Sequence, residues 1–111
     1  MDILFRDDEL KSLCNDDRVA KRKIGQAGAK KLRRRLDDIA TAASLSDLRT
    51  LPGRCHELHK DLAGWLALDL DGARRLLFSP AHTPRPTTLE GKLDWARVTA
   101  IRIERIEDYH D

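Results

Sequence analysis

Apolar and polar positions alternate along this chain in two different rhythms, one in each half. Ile3-Leu4-Phe5 is a short apolar run that predicts a strand. Asp7-Asp8 then offers a capping oxygen and negative charge at the start of a helix running to about Leu13 or Cys14. Asn15-Asp16-Asp17 reads as a break and a second cap, followed by a short helical piece from Arg18 to Ile24 that ends near Gly25. From about Ala27 to Ala43, the residues Ala29, Leu32, Leu36, Ile39, Ala40 and Ala43 recur at three- and four-residue spacings, the stripe of an amphipathic helix. Lys30, Lys31, Arg33, Arg34 and Arg35 surround that stripe, and Ser44 to Thr50 reads as a connecting turn with Ser46 as its cap.

After Leu51-Pro52-Gly53 the period shortens to two. Leu66, Leu68 and Leu70 alternate and Asp71-Gly72 follows, a strong hairpin signal, with Arg74-Arg75-Leu76-Leu77-Phe78 as the returning strand. Ser79 to Trp95 holds Pro80, Pro84 and Pro86, and proline cannot donate to a central ladder, so this stretch predicts a protruding loop or extended hairpin tip. Val98 to Ile106 resumes as a strand and runs into Glu107-Asp108-Tyr109-His110-Asp111. The order is β-α-α followed by three or four antiparallel strands, which predicts an α+β domain of two layers. At 111 residues the chain has room for one modest core, so residues 1–111 form a single domain.

Composition changes the picture in one respect. The net charge is only +2, but residues 18–35 carry nine bases and no acid. Such a block creates a local positive potential that the total conceals, and a nucleic-acid backbone is one partner it suits. No apolar run reaches the length of a membrane span, and the N-terminus has no basic segment followed by an apolar one, so the expected setting is the cytoplasm, away from membranes. Cys14 and Cys55 show no metal or disulfide spacing and are expected as reduced, partly buried thiols.

Three groups carry candidate chemistry: His56 with His59 and Lys60, the pair Arg74-Arg75, and the terminal Asp108-Tyr109-His110. Imidazole moves protons near neutral pH, Tyr and Asp do so when tuned, and arginine presents a fixed fork to a phosphate whose charge grows in the transition state. RNA carries its own nucleophile, the 2′-hydroxyl. A base near it, an acid near the leaving 5′-oxygen and an arginine on the phosphate suffice for cleavage with neither metal nor cofactor. His56 and His59 lack helical i, i+4 spacing and have no ligand cluster around them, so no zinc site is expected. By spacing alone, each group reads more readily as ordinary surface, and the tail as a frayed end.

The ordered set Leu51-Pro52-Gly53-Arg54-Cys55-His56-Glu57-Leu58, Asp61…Gly64, Arg75…Phe78 and Glu107-Asp108-Tyr109-His110 resembles the HigB killer-protein family of RelE/ParE-superfamily toxins. The stretch Leu93-Asp94-Trp95…Val98-Thr99-Ala100-Ile101 resembles a subgroup with a longer hairpin, some members of which are labelled killer suppression protein. The resemblance implies an mRNA interferase acting in the ribosomal A site and neutralised by a helix-turn-helix HigA-type antitoxin, with operator DNA met only through that antitoxin. It implies catalytic roles for His56, His59, Arg75, Asp108, Tyr109 and His110. His59 falls where the family has a lysine, Lys60 is adjacent to it, and Arg74 falls where the family has an aromatic residue. Residues expected to meet RNA or ribosome are Lys21, Arg22, Lys23, Lys30, Lys31, Arg34, Lys60 and Arg74.

A second reading stays open: a ParE-like toxin of the same fold that binds DNA gyrase and needs no catalytic set. A third, an antitoxin or DNA-binding regulator, finds no helix-turn-helix pair to support it.

Overall fold

The computed structural model describes residues 1–108. Its elements are β1 (Asp2–Phe5), α1 (Asp8–Asn15), α2 (Asp17–Thr41), β2 (His56–Glu57), β3 (Leu66–Asp69), β4 (Arg74–Pro80) and β5 (Ala100–Asp108), with 3-10 turns at Leu45–Thr50, Lys60–Leu62 and Trp95–Arg97. The five strands form one sheet in the order β1-β5-β4-β3-β2. The strand β1 lies parallel to β5, and the other neighbours are antiparallel. This is the expected α+β architecture, with four antiparallel strands after the helices.

Local chemistry explains the helix ends. The Asp7 carboxylate accepts from the Leu10 backbone N–H at 2.8 Å and Asp16 from Arg18 at 3.0 Å, so each acid satisfies an N–H that has no partner within its helix. Gly25, at φ 79° and ψ 172°, breaks α2 into two helical pieces at the position the sequence marks, a conformation that costs glycine little. The Ile24 carbonyl freed by that break accepts from Arg74 Nη1 at 2.8 Å, which ties the break to the β3–β4 turn. In the turn after α2, Ser44 rather than Ser46 holds the capping position, and the Asp47 carboxylate accepts from the Ala43 N–H at 2.8 Å.

The core lies between the helices and one face of the sheet. It joins Ile24, Ala29, Leu32, Leu36 and Ile39 of α2 to Leu66, Leu68, Leu76, Phe78, Ile101 and Ile103. Ala40 and Ala43 are exposed, while Ala42 turns inward just past the helix end. Arg35, expected on the polar side, is instead buried in the stripe three residues after Leu32. Its Nε donates to the Asp69 carbonyl at 2.8 Å, and its Nη1 is buried without a hydrogen-bond partner among the described residues. Gly53, at φ 113°, lies against this guanidinium, and a Cβ there would stand 2.7 Å from Arg35 Nε. Cys14 and Cys55 are free thiols on the margins of the core.

The proline-rich segment protrudes only in part. The strand β4 runs on through Ser79 and Pro80, the latter at its end in register with Ile101. Beyond it the chain folds back because Trp95 is drawn into the core, only 6% exposed. The Trp95 indole N–H donates to Glu57 at 3.1 Å, and the Arg49 guanidinium stacks on its ring at 3.9 Å. Only a small tip projects, closed by a bridge between Thr87 and Leu93, with Leu89 fully exposed. No helix among the described residues is long and apolar enough to cross a membrane.

Candidate active site

Residues paired across neighbouring strands point to the same face of a sheet, and neighbours along a strand point to opposite faces. Leu66, Leu68, Leu76 and Phe78 face the helices, so their alternates form the outer face. One outer row holds His56, Ala67, Leu77 and Arg105; the next holds Asp69, Arg75 and Glu107. A bulge between Leu77 and Phe78 sets this register and lodges the Glu104 carboxylate in a buried position, where Ser79 Oγ donates to it at 2.6 Å and Arg102 at 3.0 and 3.1 Å.

Charge alternates along the second row. Arg54 donates to both oxygens of Asp69, at 2.7 and 3.3 Å, and that hydrogen-bonded pairing raises the Arg54 pKa above its ordinary value. Arg75 bonds Glu107 through Nη2, and Arg105 Nη2 meets the other Glu107 oxygen at 3.4 Å. The Arg105 guanidinium also lies 5.4 Å from the centre of the Trp65 ring. One step nearer the β3–β4 turn, Arg74 reaches Asp71 at 3.3 Å and Asp108 at 3.6 Å. Arg54, Asp69, Gly72, Ala73, Arg74 and Arg75 line an open concavity of about 310 Å³.

His56 stands two strands from Arg75, across Asp69, and its Nδ1 lies 2.6 Å from the Arg54 carbonyl. A carbonyl oxygen only accepts, so Nδ1 carries the proton and a neutral ring keeps its lone pair on Nε2. A base at Nε2 beside a row of guanidinium groups can take a proton from a hydroxyl whose neighbouring phosphate those groups attract. The two thiols are poor candidates for such work. Burial pushes Cys14 up to about 11 and Cys55 up to about 12, leaving both protonated at neutral pH.

The expected residues therefore divide. Arg75 lines the concavity and His56 stands beside it on the outer face through its bond to Arg54, whereas Asp108, paired with Arg74, lies on the helix-side face. His59 and Lys60 are exposed in the turn that joins β2 to β3, at the opposite end of those strands, and line no part of it. Arg74 is not the solvated strand residue the sequence suggests, because a backbone carbonyl and two carboxylates hold it. Tyr109 and His110 lie outside the described residues. Lys21, Arg22, Lys23, Lys30, Lys31 and Arg34 are all exposed on α2, and Ala27, Lys30, Lys31 and Arg34 line a second hollow of about 270 Å³ with Asp71. Sequence reasoning missed Arg54, Asp69, Arg105 and the anion role of Glu107. Strand parity from Leu66 and Leu68 was enough to turn Asp69 outward, whereas Arg105 and Glu107 depend on the bulge. No group of three or more His, Cys, Asp or Glu among the described residues is placed to hold a metal ion.

The two-layer fold is found in solved structures. Over 100% of this chain and 98% of the other, the structure superposes on the "YoeB-YefM complex from Staphylococcus aureus" with a TM-score of 0.56 at 15% identity. A "YoeB/ParE toxin from Agrobacterium tumefaciens" aligns over 99% and 100% of the two chains, with a TM-score of 0.45 at 13% identity. No curated protein sequence matches the chain. The family model for the "RelE-like toxin of type II toxin-antitoxin system HigB" matches residues 3–83, and the chain belongs to that family.

Proposed function

We propose that this toxin is a cytoplasmic, ribosome-dependent mRNA endoribonuclease that arrests translation by general acid–base chemistry. The observation that carries the reading is the placement of His56, with Nε2 outside its hydrogen bond to Arg54, on the same outer sheet face as Arg75 and beside an open concavity. In this scheme His56 Nε2 takes the 2′-hydroxyl proton, and the 2′-oxygen attacks the adjacent phosphorus. Arg75 stabilises the charge that accumulates on the phosphate. The 5′-oxygen leaves with a proton from the terminal Asp108-Tyr109-His110 set, from Tyr109 or His110 in it because Asp108 pairs with Arg74 on the helix-side face, and a 2′,3′-cyclic phosphate remains. His59 and Lys60 would meet the RNA further along its backbone. Lys21, Arg22, Lys23, Lys30, Lys31 and Arg34 would hold ribosomal RNA through its phosphates, and Arg74 would act through its hold on Asp108. The partner that silences the toxin is a HigA-type helix-turn-helix antitoxin, which alone contacts operator DNA. The solved relative described as a YoeB–YefM complex supports pairing of this fold with a partner protein.

The test is expression in cells of Arg75→Ala and His110→Ala, with primer extension on translated messages. Both substitutions relieve growth arrest and abolish message cleavage, while circular dichroism stays unchanged. Full toxicity in both variants overturns the nuclease assignment. An SOS response without cuts in the wild type points instead to a ParE-like toxin that binds DNA gyrase.

A further inference from the structure

The catalytic scheme leaves Arg54 and Asp69 without a role, although they stand between His56 and Arg75. Asp69 is held on three sides. Its N–H donates to the Gly53 carbonyl at 2.7 Å, its own carbonyl accepts from Arg35 at 2.8 Å, and its carboxylate takes both donors of Arg54. Arg54 adopts φ 53°, the left-handed region that non-glycine residues rarely enter. That conformation turns its carbonyl onto His56 Nδ1, two residues on, at 2.6 Å. A free neutral imidazole exchanges its proton between both nitrogens, and a fixed acceptor at one nitrogen selects the tautomer. A left-handed arginine persists only when its surroundings hold it there. The two bonds to Asp69 are the restraint present here, anchored through the Asp69 backbone to β3.

We propose that Arg54 and Asp69 are positioning residues that act through His56. Their ion pair clamps the Arg54 carbonyl against Nδ1, so that Nε2 alone is presented as the base. The inference rests on the nuclease reading for its consequence, but the tautomer itself is open to measurement without RNA.

The experiment is 15N NMR of the full chain labelled at histidine, with His56 assigned by a His56→Gln spectrum, on the wild type, Asp69→Asn and Arg54→Gly. Asparagine keeps the Asp69 shape and backbone bonds. Glycine adopts the left-handed region freely, so neither change forces misfolding. The wild type shows a protonated Nδ1. In both variants the Nε2–H form rises to a substantial share, and message cleavage falls about tenfold in kcat with KM within about twofold. A wild-type ring signature in Arg54→Gly overturns the clamp, because the backbone would then suffice without the guanidinium. A shifted tautomer together with full cleavage by His56→Gln leaves the clamp standing and removes His56 from the chemistry instead.

Discussion

The two basic surfaces of this molecule are built on opposite terms. On the solvent side of α2, Arg18, Arg22, Lys23, Lys30, Lys31, Arg33 and Arg34 are exposed, and among the described residues the only ion pair on that side joins Lys21 to Asp17 at 2.9 Å. On the outer face of the sheet, Arg54, Arg75 and Arg105 each meet a carboxylate. Uncompensated charge on a helix attracts a polyanion from a distance and is weakened by salt. Charge already paired with a carboxylate attracts little from afar, and a phosphate approaching Arg75 competes with Glu107. On the proposed reading, one surface would gather RNA and the other would admit it at one place. The distinction matters because net charge, at +2, describes neither.

The largest expected effect falls where the two surfaces are joined, at Arg35 and Gly53. Gly53→Ala sets a methyl group 2.7 Å from Arg35 Nε at φ 113°. It is expected to cost about 3 kcal/mol of stability in urea unfolding, the sum of a strained backbone and an overpacked core. A loss under about 1 kcal/mol would mean that Arg35 moves aside easily and that the helix and sheet surfaces are not rigidly coupled. Next comes the triple reversal Lys30→Glu, Lys31→Glu and Arg34→Glu. Affinity for ribosomes should fall about 30-fold or more, with the slope of log affinity against log salt smaller by about two. An unchanged slope would break the comparison, because the helix would then not be the gathering surface. A smaller effect of opposite sign is expected from Glu107→Gln, which frees Arg75 from a full negative charge. Binding of a short single-stranded RNA, measured by fluorescence anisotropy, should tighten about three- to fivefold. Weaker binding would show that the carboxylate orders Arg75 for phosphate rather than competing with it.

The smallest effect is a matter of pH and concerns the thiols beside the core. Burial raises the folded pKa to about 11 for Cys14 and about 12 for Cys55. The folded state therefore keeps protons that unfolded thiols release above about pH 9. The corresponding stability is present below that pH and declines as pH rises toward 11 and 12. In alkaline melts, Cys14→Ala should lose less Tm than the wild type across this window, and parallel curves would contradict the shift.

Much of the fold was legible because its signals are local. The Asp7 and Asp16 caps, the break at Gly25 and the Asp71-Gly72 turn each act within a few residues. The packing of Trp95 and Arg35 was not legible, because each depends on a partner far along the chain: Glu57 and Arg49 for the indole, Asp69 and Gly53 for the guanidinium. The prolines correctly ended the regular strand, but they carry no information about where the chain goes next. Period-two alternation set the faces of β3 and β4, but only the pairing of β2 with β3 puts His56 on the face of Arg75. Alternation could not reveal that Glu107 neutralises Arg75, since one extra residue in β5 at the bulge decides which side chains line up. The match to the toxin family ends at residue 83, so β5 and its acids stand on this chain's own geometry.

The tip beyond Pro86 offers a practical opening. Its ends are joined by the bridge between Thr87 and Leu93, the Thr88 N–H donates to the Lys92 carbonyl at 2.7 Å, and Leu89 makes so little contact that it is fully exposed. Trp95 anchors the segment on the core side of this bridge, so whatever is attached at residues 89–91 is insulated from the rest of the molecule. A dye on a cysteine placed at Leu89, or an epitope spliced after Glu90, would therefore report where the protein travels in a cell without touching either basic surface.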